Sequence, residues 1–217
     1  MKSALLLAAG EGRGAWPFCG IRQKCTVPVV NVPMVRRMAL DLLALDLTEI
    51  VVVTGSRGEA VRSCLADLAG VRFVEQRALK GPADAALCGI DSLTGTDTLV
   101  CYGDIVTTRD AVRGFLDAYR KRKARAMVMT APCPPEAPHW MTICVGEDGL
   151  VHDVIGHGDR LLPRFAGIAA ARTETLKTYL LRNPGLVTSV EIGAMPPVEG
   201  DVAHSFGLMA QIGRAHV

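Results

Sequence analysis

Two glycines close behind an apolar run are the first feature of the sequence that suggests chemistry. Ala4–Ala9 is followed directly by Gly10, Glu11 and Gly12. Glycine lets a backbone turn tightly and bring its N–H groups against phosphate oxygens with no side chain between them. The pattern predicts a phosphate-binding turn after a strand, although a G-x-G pair taken alone is a weak signal.

A dinucleotide-binding site is the first alternative, because residues 10–15 also satisfy the loose pattern G-x-G-x-x-A. Such a site needs a helix to begin at this point, and Trp16-Pro17 is badly placed within one. The acidic residue that a dinucleotide site has about 20 positions further on is missing. The G-K-[ST] sequence of an ATPase phosphate loop is missing as well. The glycines are therefore predicted to begin a long loop, residues 10–26.

The elements that would position this loop are short apolar runs that alternate with helical patterns. Apolar runs rich in Val and Leu, without polar alternation, are typical of strands buried on both faces of a parallel sheet. The predicted strands are Ala4–Ala9, Ile50–Thr54, Val71–Glu75, Leu99–Tyr102 and Ala126–Thr130, and the predicted helices are Val35–Leu47, Glu59–Leu68, Ala83–Leu93 and Arg109–Lys123. This order predicts an α/β fold of three layers around a mixed, mainly parallel sheet.

The pattern changes after Ala131. Met141–Val145 and Leu150–Ile155 flank a turn at residues 146–149, which predicts an antiparallel hairpin. Phe165–Ala171 is a further candidate strand. Thr173 is predicted to cap a helix that Asn183-Pro184 terminates.

The length of 217 residues suits one domain. We expect residues 1–211 to form it, cut short at the C-terminus. Residues 212–217 match one reading frame of a common sequencing adapter and are expected to be a non-native tail.

Composition and charge argue against several function classes. The formal net charge is +2, which gives no electrostatic argument for nucleic acid or an anionic membrane. The run Ala4–Ala9 is too short for a signal peptide or a membrane span. Seven cysteines without a C-x-x-C pair indicate reduced thiols. We expect a cytoplasmic protein whose partners are neither nucleic acids nor membranes, and homo-oligomer formation is left open.

Three motifs, in matching order, resemble the sugar-phosphate nucleotidyltransferase family. The first motif comprises Leu7-Ala8-Ala9-Gly10-Glu11-Gly12, Pro17, Lys24 and Pro28-Val29. It is similar to the family's L-A-A-G-x-G-T-R-x-x-P followed by P-K-x-x-x-P-V. The second motif comprises Gln76 and Gly81 and is similar to the family's base-recognition segment Q-x-x-x-x-G-T-x-x-A. The third motif is Tyr102-Gly103-Asp104, which is similar to the family's metal-binding G-D. The resemblance implies a Rossmann-like nucleotidyltransferase fold, and it is strongest to the uridylyl- and thymidylyltransferases, which favours UTP or dTTP.

The resemblance also implies a role for each residue in joining a nucleoside triphosphate to a sugar 1-phosphate with Mg²⁺. Lys24 and Arg13 would be the catalytic cations on the phosphates, and Asp104 would hold the Mg²⁺. The nucleotide-binding residues would be Leu7, Ala8, Ala9, Gly10, Gly12, Gln76, Gly81, Tyr102 and Gly103. Simple structural roles stay open beside these: a solvated Lys24 or Arg13, a helix cap for Asp104 and a surface position for Gln76.

The sequence departs from the family pattern in both halves. Gln23 replaces the proline before the lysine, Pro82 replaces a threonine, and Arg13 is displaced by one position. The family's Y-G, E-K and N-x-G correspond here to Trp140-Met141, Gly156-His157 and Phe165-Ala166-Gly167, of which only Gly167 fits.

The altered acceptor half keeps other functions open. Family members take a second metal-binding group from a late strand, and we expect that segment beyond the end of the chain. His157 and Trp140 are either parts of a different sugar pocket or structural residues. The alternatives to an NDP-sugar-forming enzyme are a non-catalytic regulatory or assembly protein of this fold and a transferase for another phosphorylated acceptor.

Overall fold

The chain alternates strands and helices as its apolar runs predict. A computed structural model describes residues 1–12, 20–132, 141–157, 162–187 and 198–210. In these residues the strands are β1 (Ser3–Ala8), β2 (Pro28–Val29), β3 (Val32–Pro33), β4 (Glu49–Thr54), β5 (Val71–Glu75), β6 (Asp97–Tyr102), β7 (Ala126–Ala131), β8 (Met141–Val145), β9 (Val151–His157), β10 (Arg164–Arg172), β11 (Leu186–Val187) and β12 (Val198–Glu199). The helices are α1 (Met34–Ala44), α2 (Gly58–Leu65), α3 (Pro82–Ile90), α4 (Arg109–Arg122), α5 (Thr173–Leu181) and α6 (Val202–Ala210).

The main sheet is mixed, with its parallel strands in the N-terminal half. β5, β4, β1 and β6 lie side by side in that order and run parallel. β10 is antiparallel to β6 on one side and to β7 on the other. The hairpin β8–β9 joins the sheet at the Arg164 end of β10. The predicted mixed, mainly parallel α/β sheet is confirmed.

Helices cover both faces of the sheet, which completes the three layers. Alternate β1 residues face opposite ways: Leu6 is packed with residues of α1, α2 and α4, whereas Leu5 and Leu7 are packed with residues of α3, α5 and α6. All six β1 side chains are buried. A strand that faces apolar layers on both sides has no solvent-facing position, which explains its unbroken apolar run.

Three of the predicted helices end three residues earlier than expected: α1 at Ala44, α2 at Leu65 and α3 at Ile90. α1 ends at Ala44 and not at Leu47, because Asp46 takes a left-handed conformation (φ 62°) and the Leu47 N–H returns to the Leu42 carbonyl at 3.1 Å. Leu47 is fully buried although it lies beyond the end of α1. Because it is apolar, the predicted helical pattern continued to it. Thr173 is not a cap: it is the first residue of α5, and its buried hydroxyl bonds Gly95 O and Thr98 Oγ1.

The late elements β11, β12 and α6 were not predicted. α6 packs on the face that holds α3 and α5, with Phe206 fully buried there. Residues 212–217, expected to be a non-native tail, lie outside the described residues. Within the described residues, no helix combines the length and the apolar character that crossing a membrane requires.

Glu49 anchors the amino edge of the sheet, and its ionisation should set part of the acid stability. Its carboxylate accepts hydrogen bonds from Ser3 Oγ, from Thr94 N at 3.1 Å and from Arg72 Nη2 at 2.8 Å. Burial raises the pKa of Glu49, but these bonds outweigh it and hold the pKa below its ordinary value of 4.5. The unfolded chain therefore takes up a proton first, so this stabilisation is present above pH 4.5 and is lost as the pH falls through the lower folded-state pKa.

We expect Glu49→Gln to lower the free energy of unfolding at pH 7 by about 1–3 kcal/mol. It should also flatten the decline in stability below pH 4.5. Urea unfolding at pH 7, 5 and 4 measures both effects, with Glu59→Gln on the exposed side of α2 as the matched control. An unchanged pH slope in Glu49→Gln would show that other carboxylates cause the acid dependence.

Candidate active site

The predicted site residues that the structure describes lie near the carboxyl ends of the neighbouring parallel strands β5, β4, β1 and β6. Leu7 of β1 is in register with Val53 of β4 on one side and with Tyr102 of β6 on the other. The chain moves from β1 through β4 to β5 in one direction, and β6 then returns to the opposite side of β1. In open α/β sheets, ligands bind in the crevice outside such a reversal of strand order.

Gly10 and Gly12, which open the loop after β1, are glycines for different reasons. Gly12 has φ +69°, and a Cβ built on it would lie 2.6 Å from Lys24 Cβ, so no larger residue fits there. A Cβ on Gly10 would meet no atom of the described residues within 4 Å. Packing among these residues therefore explains Gly12 but not Gly10.

Gln23 holds the returning part of this loop in place. It is 2 % exposed, and its Nε2 donates to Ala8 O at 3.0 Å and to Gly10 O at 3.1 Å. Its Oε1 accepts from Cys25 N at 2.5 Å and so caps the short 3-10 turn Lys24–Thr26. In the sequence Gln23 is only a departure from the family pattern, whereas in the structure its side chain fixes Lys24 relative to the glycines.

Lys24 and Asp104 form an ion pair at the crevice, with Nζ and Oδ2 2.6 Å apart. Both side chains remain partly exposed, at 39 % and 25 %. Asp104 follows Gly103, whose N–H donates to Leu7 O at 2.8 Å and whose Cα lies so close to β1 that a Cβ would reach that oxygen at 2.9 Å. Lys24 is therefore paired as well as partly exposed, and Thr108 is the residue that caps the following helix α4.

A carboxylate in this position fits a magnesium ion. Mg²⁺ is usually held by one or two carboxylates, while substrate phosphates and water supply the rest. Asp104 offers one such carboxylate beside a cation suited to phosphates. In the part of the chain that the structure describes, no group of three His, Cys, Asp or Glu residues forms a self-sufficient metal site. The neighbouring Cys25 does not suit Mg²⁺, which takes oxygen ligands. Burial and then the charge of Asp104 also raise the pKa of its thiol far above the ordinary value.

Gln76 and Gly81 lie together at the next strand end along the sheet. The Gln76 N–H donates to Thr54 O at 2.7 Å, and its side chain is 3 % exposed, so it is not a surface glutamine. Gly81 has φ +98° and is the N-cap of α3. Pro82, a departure from the family, is the first residue of that helix, where a proline is well tolerated.

Tyr102 brings a second carboxylate, that of Asp201, next to the site. The Tyr102 hydroxyl donates to Asp201 Oδ2 at 3.1 Å, and its ring packs edge-on against Phe165 with centroids 5.6 Å apart. Asp201 Oδ1 also accepts from Ala203 N at 2.6 Å at the start of α6. Asp201 was not predicted from the sequence, because the two-residue strand β12 before it is too short to show a hydrophobic period.

For the remaining predicted residues, the structure gives at most a position and does not test a functional role. Leu7, Ala8 and Ala9 are buried at the end of β1, with their carbonyls bonded to Gly103, Gln23 and Ser56. Gly167 lies at a bulge in β10 with φ +77°, and a Cβ there would meet Ile105 Cγ2 at 2.8 Å. Arg13 and Trp140 lie outside the described residues, and for His157 only the backbone in β9 is described. The functional roles of these residues stay predictions.

Comparison with known proteins gives the same family of folds. Residues 4–162 match the family model of the MobA-like NTP transferase domain. Among curated proteins, the chain is 27 % identical over 175 residues to the bifunctional protein GlmU of Shouchella clausii. The aligned region covers 79 % of this chain and 37 % of that protein. The chain is also 28 % identical over 158 residues to GlmU of Chromobacterium violaceum, and that alignment covers 72 % of this chain and 33 % of the relative. The chain thus spans about a third of the length of these relatives.

Solved structures extend the similarity of fold over the whole chain. A UDP-glucose pyrophosphorylase complexed with UDP-glucose has a TM-score of 0.77 at 16 % identity, covering 100 % of this chain and 90 % of that one. A Bacillus anthracis chain described as a glucose-1-phosphate thymidylyltransferase has a TM-score of 0.76 at 18 % identity, covering 99 % and 85 %. Because the family model matches residues 4–162, the chain belongs to the MobA-like NTP transferase domain family, and it is similar to the sugar-phosphate nucleotidyltransferases.

Proposed function

We propose that this chain transfers a nucleotidyl group from a nucleoside triphosphate to a sugar 1-phosphate, forming an NDP-sugar and pyrophosphate. The observation that carries the proposal is the Lys24–Asp104 pair, held 2.6 Å apart beside the glycine loop at the carboxyl edge of the sheet. A cation for phosphates and a carboxylate for a metal are what such a transfer needs. The named relatives, GlmU and the pyrophosphorylases, support this choice of reaction class.

The reaction needs positioning and charge neutralisation more than covalent chemistry by the protein. A phosphate oxygen of the acceptor attacks the α-phosphorus, a new P–O bond forms, and the bond to the β-phosphate breaks to release pyrophosphate. We assign Lys24 and Arg13 to the negative charge that moves onto the leaving pyrophosphate. The backbone of Ala9–Gly12 is assigned to the triphosphate, with Gly10 leaving the space that a phosphate would fill.

Asp104 is the residue that we assign to Mg²⁺, with Gly103 holding it against β1. A bound Mg²⁺ would offset phosphate charge and align the attacking and leaving oxygens. We assign Gln76 and Gly81 to the base, which the resemblance favours as uracil or thymine, and Tyr102 and Gly103 to the wall of the nucleotide site. Residues 1–211 are proposed as the transferase domain, and residues 212–217 as a tail without a role in it. Because the substrates belong to the nucleotide pool, we place the reaction in the cytoplasm.

A thermal-shift panel tests nucleotide binding. With Mg²⁺, UTP or dTTP at about 100 times its Kd should stabilise the protein by about 2.7 kcal/mol and raise Tm by about 5–10 °C. Lys24→Ala should lose this shift. Lys177→Ala is the matched control, because Lys177 forms an exposed ion pair with Asp91 on the surface and should keep the shift.

Turnover decides between the proposed enzyme and its alternatives. Pyrophosphate release should require both a nucleotide and one member of a panel of sugar 1-phosphates. Release only with a different phosphorylated acceptor would favour the other transferase, which the altered Gly156-His157 segment allows. Nucleotide binding without release for any acceptor would favour the non-catalytic protein, and the absence of binding would contradict the proposal.

A further inference from the structure

The side-chain amide of Gln76 has its hydrogen-bonding direction fixed by the protein. Its Nε2 donates to Asp84 Oδ2 at 2.7 Å and to Gly81 O at 3.2 Å. A carboxamide nitrogen carries two hydrogens, so both donors of Gln76 are used. The atom that faces two acceptor oxygens must be the nitrogen, which leaves no freedom to exchange it with the oxygen.

The oxygen is therefore the only group that Gln76 can offer to a ligand. In the described part of the chain, no donor lies within hydrogen-bond distance of Gln76 Oε1. The backbone of Gln76 is anchored to Thr54, and the side chain is 3 % exposed, so the group cannot easily swing away. Gln76 thus presents one fixed acceptor at the end of β5.

A fixed acceptor distinguishes two pyrimidines of the same size. Uracil and thymine carry a hydrogen on N3, which can be donated to Oε1. Cytosine has a lone pair on N3, which would face the same oxygen. Both cytosine N3 and Gln76 Oε1 are acceptors, so neither would gain a hydrogen bond from the other. A freely rotating glutamine could serve either base by exchanging its oxygen and nitrogen, because the two ends of the amide have similar shapes. Discrimination therefore requires a residue that stops the exchange.

We propose that Asp84 is a positioning residue that sets the nucleobase preference, by holding Gln76 with its oxygen toward the base. The proposal rests on the proposed nucleotidyltransferase function and adds to it the device that separates UTP and dTTP from CTP. Asp84 lies in the first turn of α3, and its side chain reaches Gln76 eight positions earlier in the sequence. Asp84 is not a member of the Lys24–Asp104 ion pair.

The test compares UTP and CTP affinities, measured by calorimetry with Mg²⁺, in the wild type and two variants. Asp84→Ala removes the acceptor, so the amide can turn and CTP binding should improve. Asp84→Asn keeps an oxygen that can accept from Gln76 Nε2 but loses the charge. We expect the wild type and Asp84→Asn to prefer UTP by about 10-fold to 100-fold, and Asp84→Ala to fall to about threefold or less.

A merely structural role for Asp84 gives a different result. As an acidic residue in the first turn of α3, Asp84 also favours the helix dipole, and both variants would lose that contribution. Such a loss lowers Tm but leaves the UTP-to-CTP ratio unchanged. An unchanged ratio in Asp84→Ala, or equal binding of UTP and CTP by the wild type, would overturn the proposal while leaving the transferase function in place. Binding of no nucleotide at all would instead reject the transferase function, and with it this proposal.

Discussion

Asp104→Asn is expected to lower kcat about 100-fold to 1,000-fold, with little change in stability. Asparagine has the size of aspartate but no charge, so it cannot offset the charge of Mg²⁺ or pair with Lys24. The ion pair is 25–39 % exposed, and exposed pairs contribute only about 0–1 kcal/mol to the free energy of unfolding. Pyrophosphate release at saturating substrates and urea unfolding together measure the two effects.

Asp117→Asn is the matched control for Asp104→Asn. It breaks an ion pair with Arg120 that is 3.1 Å long and exposed on α4, with no part in the proposed site. Its kcat should equal that of the wild type. The residual activity of Asp104→Asn should also need more Mg²⁺ for its half-maximal value. A kcat within about threefold of the wild type would remove Asp104 from the reaction.

A pair of glycine substitutions should separate the structural from the ligand-binding part of the loop. Gly12→Ala places a Cβ 2.6 Å from Lys24 Cβ on a residue with φ +69°. The left-handed conformation and the contact should together lower the free energy of unfolding by about 1–3 kcal/mol. Because Lys24 Cβ is fixed to the backbone, relief of the contact must move Lys24, and we expect kcat/KM to fall about 100-fold.

Gly10→Ala should behave in the opposite way. No atom of the described residues lies within 4 Å of its new methyl group, so the free energy of unfolding should stay within about 1 kcal/mol of the wild type. The methyl group occupies the space assigned to the phosphates, and nucleotide affinity should therefore fall. Urea unfolding and calorimetry with UTP measure both variants. Wild-type affinity for UTP in Gly10→Ala would mean that the phosphates bind elsewhere. Wild-type stability in Gly12→Ala would mean that the loop accommodates the added methyl group by shifting.

The sequence by itself determined the central α/β sheet. Strands such as β1 and β4 are buried on both faces, so their apolar runs carry the signal without help from the rest of the chain. The predicted Val71–Glu75 coincides with β5, and the hairpin residues 141–145 coincide with β8. The glycine loop was predicted because phosphate binding favours glycines directly after a strand, whereas Gly103-Asp104 was predicted from its resemblance to the family's metal-binding G-D. Both follow strands, so their positions in the sequence fix their positions at the sheet edge.

Only the tertiary structure decided how distant side chains support the site. Gln23 reaches Ala8 and Gly10 across the loop, and Tyr102 meets Asp201 from the far end of the chain. Polar side chains carry no periodic signal, and their partners depend on how the loops fold back over the sheet. The same holds for Thr173, whose hydroxyl bonds Gly95 and Thr98 and so does not cap its helix. Short elements such as β12 arise from tertiary contacts, since two residues are too few to show a hydrophobic period.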